Sequence, residues 1–143
     1  SETGKKVVAP GTEGTLNAND ISGTPEVTVR VDNAATVTLT GWADENGEYY
    51  CPLEVTVGNG TPIKGSTYGS ITDFKKAIED AVAATSNTYK PGKAITSAGT
   101  NVSWKWDFDG NEDVKDTYLG KQATENNAST IAVGVATTVT QVK

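Results

Sequence analysis

The chain has no histidine and no methionine, and a single cysteine among 143 residues. Without histidine there is no Ser-His-Asp triad, no Cys-His pair and no His-Glu-x-x-His zinc site. Cys51 has no second thiol in the chain to pair with. It reads as a small buried hydrophobe, with an intermolecular disulfide as the other use and no imidazole to activate its thiolate. Lys and Arg number 12 against 18 Asp and Glu, a net charge of −6, and the basic residues are scattered. No basic patch meets a phosphate backbone, so nucleic acid is not an expected partner. No apolar run approaches the length of a membrane span. The first residues, Ser-Glu-Thr-Gly-Lys-Lys, are polar and are not a signal peptide, so an exported form would already have lost its leader. The carboxylates that could pair for acid–base work stand in no context that perturbs them. The expectation is a protein that is not an enzyme.

What the chain does have is threonine, valine and glycine in abundance, the composition of a mostly β protein. Its length suits one domain, residues 1–143, and its 36% hydrophobic content is enough for a core. Ser1 to Lys6 lack alternation and predict a loose arm. Thr12 to Leu16 predict a first short strand. Val27, Val29 and Val31 alternate with polar residues, Asp32-Asn33-Ala34 reads as a turn, and Val37 and Leu39 resume before Trp42, which together suggest a β-hairpin. Leu53 to Val57 alternate again. Gly58-Asn59-Gly60 is a tight-turn signal, and Thr61-Pro62-Ile63 returns as an edge strand.

One helix interrupts the strands. Ser70 is a good N-cap with Asp73 three residues on, and Ile71, Phe74, Ala77, Ile78, Ala81 and Val82 make one apolar face. The helix is expected near residues 71–84, covering one end of a sandwich. Ala94-Ile95-Thr96 suggest a brief strand. Val102, Trp104, Trp106 and Phe108 then share one face of a strand, which the rest of the chain must cover. Thr130 to Val142 form a long closing strand, with Gly134 a place for a bend or bulge.

Two constellations remain. Asp107, Asp109, Asn111 and Asp113 fall at alternate positions, as in the first half of a calcium loop, although glycine comes at the fourth position and Tyr118 stands where an EF-hand has Glu. The other reading of this stretch is a solvated acidic hairpin tip, with Asp116 capping the turn that follows. Trp42, Trp104 and Trp106 are either core or a sugar-stacking platform, and their exposure separates the two.

Several pieces together are similar to a known family. Val8-Ala9-Pro10-Gly11-Thr12-Glu13-Gly14, the following Pro25-Glu26-Val27-Thr28-Val29, Trp104-Lys105-Trp106 with its acidic turn, Asp116-Thr117-Tyr118-Leu119-Gly120, and Thr138 to Val142 resemble, in order and spacing, elements of the TasA/camelysin family of secreted biofilm matrix fibre proteins. The resemblance runs from Val7 to Val142. It implies a jelly-roll-like β-sandwich, export, and homopolymerisation by donor-strand exchange, with other matrix proteins or polysaccharide as further partners. The metalloprotease activity described for camelysin does not carry over to a chain without histidine. Family members have a further strand upstream of the Val-Ala-Pro-Gly stretch, whereas only Ser1 to Lys6 precede Val7 here. A truncated chain, a processed form and a short-armed variant all fit that difference. The expected function is a structural subunit of an extracellular fibre or matrix, with Lys5, Lys6, Val7 and Val8 as the assembly segment. A secreted carbohydrate- or surface-binding module is the alternative.

Overall fold

The structure, a computed structural model, describes residues 2–7, 13–17, 22–95, 100–106 and 113–142, the first two segments and residue 113 by their backbone. The strands are β1 (Glu2–Val7), β2 (Glu13–Asn17), β3 (Val29–Thr40), β4 (Leu53–Val57), β5 (Ile63–Lys64), β6 (Asn87–Tyr89), β7 (Asn101–Trp106) and β8 (Thr130–Gln141). Helix α1 (Ile71–Ala83) lies between β5 and β6, and α2 (Asp113–Thr124) between β7 and β8.

Two antiparallel sheets form, one in the order β1-β8-β3-β6 and the other β2-β7-β4-β5. The pairing is that of one long hairpin, β1 with β8, β2 with β7, β3 with β6 and β4 with β5. It is rolled so that β8 also meets β3 and β7 also meets β4. That winding is a jelly-roll sandwich, the fold that the family resemblance implies.

The core lies between the sheets. Val37 of β3, Ile131, Val133 and Val135 of β8, Leu53 and Val55 of β4, and Val102, Trp104 and Trp106 of β7 are at most 4% exposed. Helix α1 adds Phe74, Ile78 and Val82 at four-residue spacing, all fully buried. Burying each such side chain contributes about 1.5–3 kcal/mol, more than the cap at its start, worth about 1 kcal/mol. That cap is the one expected: Ser70 Oγ accepts from Asp73 N at 3.2 Å. On the outer face of the second sheet the register sets buried Glu54 between Lys64 and Lys105, so its charge stands in a row of alternating sign.

Four sequence expectations are corrected. Asp32-Asn33-Ala34 is not a turn, because β3 runs straight through it. Odd-numbered residues from Val29 to Leu39 keep one phase across the polar triplet, and Asn33, only 3% exposed, is satisfied from three directions. Its backbone N donates to Ser86 Oγ at 2.9 Å, its Nδ2 donates to Thr85 Oγ1 at 2.9 Å, and its Oδ1 accepts from Thr137 Oγ1 at 2.7 Å. Gly134 makes no bulge. The β3–β8 register advances without a skip from Thr40↔Thr130 to Val29↔Gln141.

The chain also has a second helix. In α2 the inward positions are Asp116 and Leu119, both 1% exposed, while Val114 is 67% exposed. A carboxylate on the buried face and Gly120 in the interior hide the amphipathic period from a sequence reading. Finally, Glu2–Val7 is a strand where a loose arm was expected. The edge of β8 offers unpaired N–H and C=O groups, and a backbone ladder satisfies them whatever the side chains. Of the brief strand expected at Ala94 to Thr96, Thr96 lies outside the described residues, and Ile95 forms a bridge with Gly23.

Trp104→Ala and Trp106→Ala should each lower stability by about 3–5 kcal/mol, read from chemical denaturation. A loss under 1 kcal/mol at either site would be incompatible with the burial described.

Candidate functional site

The exposure of the tryptophans separates two functions. Trp42, Trp104 and Trp106 are 5%, 4% and 2% exposed. Trp42 and Trp106 pack edge to face, with centroids 5.7 Å apart, and Trp42 Nε1 donates to Thr130 O at 2.9 Å. The indole N–H groups of Trp104 and Trp106 are buried without an acceptor among the described residues. These rings offer no face to a sugar. They are the core.

Of the calcium candidates, Asp107, Asp109 and Asn111 lie outside the described residues. Asp113 is the first residue of α2, so the alternate spacing ends there in a helix. Among the described residues no group of three or more acidic, histidine or cysteine side chains is placed to hold a metal ion. Asp116 does not cap a turn. Inside α2, its Oδ1 accepts from Tyr50 Oη at 2.5 Å. Lys115 Nζ stands 5.4 Å from the centre of the Tyr50 ring and 3.9 Å from Asp44 Oδ2. Asp44 Oδ1 accepts from the backbone N of Asn46 and Glu48, at 2.9 and 3.0 Å. This cluster ties α2 to the loop before β4, and it was not legible in the sequence.

Cys51 is fully buried, and burial pushes its thiol up to about 12. Tyr49 beside it is raised by burial first and by Cys51 next, and its hydroxyl donates to Gly65 O at 2.7 Å. Gly65 fits against this pair because it lacks a side chain: a Cβ there would lie 2.6 Å from Cys51 O and 2.8 Å from Cys51 Sγ.

What remains is the sheet edges, where backbone groups can act without special side chains. On the first sheet, β6 covers β3 only from Val29 to Val31. Beyond that, α1 and its C-terminal turn take over: Glu79 Oε2 accepts from Val37 N at 3.2 Å and Ser86 Oγ from Asn33 N. On the second sheet, the far edge is β5, two residues long and preceded by Pro62.

The opposite edge of the first sheet differs. β1 spans Thr130 to Val135 of β8, with Lys5, Lys6 and Val7 opposite Ala132, Ile131 and Thr130. Val8 lies outside the described residues. From Ala136 to Gln141, no described strand pairs with β8 on that side. Val139, in phase with the buried Ile131, Val133 and Val135, is 45% exposed there. Opposite the three fully buried residues Val135, Val133 and Ile131, β1 presents Glu2, Gly4 and Lys6. Two of these residues are charged and the third has no side chain, although the row opposite in the register is apolar.

No protein-family model, curated protein or solved structure matches this chain.

Two outcomes test the buried pair. Cys51 should resist Ellman's reagent from pH 7 to pH 9, since a raised thiol supplies no thiolate below its folded value, and should react at once in denaturant. Rapid labelling of the folded chain would contradict its burial. Gly65→Ala should destabilise the fold by about 1–3 kcal/mol in the same denaturant titration, through overpacking against Cys51.

Proposed function

We propose that this chain is a structural subunit of an extracellular fibre or matrix, and that copies join by adding a strand to the β8 edge of a neighbour. The observation that carries this reading is the mismatch on that edge. A six-residue β1 meets a twelve-residue β8. It sets Glu2, Gly4 and Lys6 against an apolar row and leaves Ala136 to Gln141 without a strand on that side among the described residues. In strand addition, backbone bonds supply affinity and alternate side chains filling pockets supply register. A segment with apolar residues at those three positions would suit the edge better than β1 does. The work on this reading is done by backbone groups rather than by a catalytic side chain.

The resemblance to the TasA/camelysin family supports the same conclusion, and the secreted location belongs to it. The carbohydrate-binding alternative loses its main support with the burial of all three indoles.

A disulfide trap tests the proposal. Val37 N and Asn33 N both point away from β8. The even-numbered residues of β8 therefore bond to β3, and Lys5↔Ala132 is a non-hydrogen-bonded pair, whose close approach suits a disulfide. In the variant carrying Lys5→Cys and Ala132→Cys, oxidised at rising protein concentration, exchange between copies should give a ladder at multiples of 14.9 kDa on non-reducing gels, with filaments in negative-stain images. An oxidised monomer alone, at every concentration and without filaments, would refute addition at this edge.

A further inference from the structure

Three Asn-x-Ser/Thr sequences occur in the chain: Asn59-Gly60-Thr61, Asn101-Val102-Ser103 and Asn127-Ala128-Ser129. In an exported protein this triplet is the acceptor for an N-linked glycan, where the carboxamide takes the sugar and the hydroxyl two residues on is read by the transferase. The sequence does not choose Asn59, because Pro62 directly follows its triplet and a proline there disfavours glycan transfer. The fold does.

Asn127 is tied down. Its backbone N donates to Gln122 O at 2.9 Å and its Nδ2 to Gln122 Oε1 at 3.3 Å. The hydroxyl of its triplet belongs to Ser129, which is 1% exposed and donates to Gly41 O at 2.7 Å. Asn101 opens β7, an inner strand held between β2 and β4, with Asn17 opposite it and its carbonyl accepting from Gly58 N at 2.7 Å. Its Ser103 stands mid-ladder, between Thr15 and Thr56.

Asn59 differs on each count. It sits at the tip of the β4–β5 turn, where Gly60 N donates to Val57 O at 3.0 Å and Gly58 takes a φ of +57°. Both Asn59 and Thr61 are exposed, and the Asn59 carboxamide has no partner among the described residues. Beside the turn lies a groove of about 430 Å³, lined in part by Val57, Ile63, Ala81 and Ala84. It gives the less polar face of a first sugar a surface to lie on.

We infer that Asn59 is an N-glycosylation site, its glycan leaving the β4–β5 turn over the C-terminal end of α1; the inference rests on the reading of the chain as an exported protein. The donor is a lipid-linked oligosaccharide. Asn59 Nδ2 forms the new bond to the anomeric carbon as the bond from that carbon to the lipid phosphate oxygen breaks. The amide gives up one proton to the transferase, and the lipid phosphate leaves with the electron pair. In the strand order the turn lies beside β5, at the far edge from β2, while β1 and β2 end the two sheets on the other side. The glycan thus leaves the β8 edge clear for a neighbour.

The test uses protein from the cells that make it, separated into cellular and extracellular fractions. Tryptic digestion places the three triplets on separate peptides, Val31–Lys64, Ala94–Lys105 and Gln122–Lys143. Mass spectrometry of the extracellular protein should find added sugar on the first peptide alone, and Asn59→Gln expressed in the same cells should remove it without stopping export. An extracellular protein whose Val31–Lys64 peptide has its unmodified mass overturns the inference and leaves the export reading intact. Sugar on either other peptide in place of Asn59 overturns the assignment. A protein confined to the cell interior and unmodified overturns both readings.

Discussion

The pairing of β3 with β8 is the interaction on which the rest of the sandwich depends. Twelve residues of each strand meet without a break, and directly opposed residues share a face. One register therefore sets the whole inner row of the first sheet. A slip by one residue would turn Val37, Val133 and Val135 out to solvent. A slip by two would keep the faces but set Asn33 against a valine instead of Thr137. A buried amide group left without its partner costs about 1–3 kcal/mol, so the polar residue in the row holds the register that apolar residues alone would leave open. The strand ends are clasped as well, by Trp42 Nε1 on Thr130 O, by Ser129 Oγ on Gly41 O and by the Thr40–Thr130 hydroxyl pair.

The length of that ladder creates the protein's asymmetry. The other strands have two to six residues, so β3 and β8 overhang their neighbours. On the β3 side the overhang is covered by α1, whose Glu79, Thr85 and Ser86 take the place of a strand. On the β8 side β1 covers half. An unpaired strand edge invites pairing by another chain, and here the covered half is faced by Glu2, Gly4 and Lys6. The assembly proposed at that edge rests on strand lengths and register, not on any special group.

The buried polar groups divide by consequence. Asn33, Asp44 and Asp116 are nearly inaccessible, yet each is held by hydrogen bonds, and together they fix β3, the loop before β4 and α2. The N–H groups of Trp104 and Trp106 have no acceptor among the described residues. Each such group costs on the order of 1–3 kcal/mol, which the burial of two large rings offsets. The exposed Arg30–Asp32 pair contributes little beside these terms.

Period-two alternation, the Ser70 cap and the Gly-Asn-Gly turn were enough to place most strands, helix α1 and the burial of Trp104 and Trp106, because each is a local signal. The same local logic misread Asp32-Asn33-Ala34 as a turn, since nothing nearby tells that Thr85, Ser86 and Thr137 return to satisfy Asn33. It missed α2, where one of the two inward-facing residues is an aspartate whose carboxylate accepts from Tyr50, 66 residues away. The polar first residues read as loose, since their place in a strand depends on the backbone of β8 and not on their own side chains. Composition and alternation thus determined a β-sandwich with one amphipathic helix. Which sheet edge lacks a partner strand among the described residues, and which of the three Asn-x-Ser/Thr triplets keeps both its polar residues exposed, were decided by tertiary structure, because both depend on residues far away in the chain.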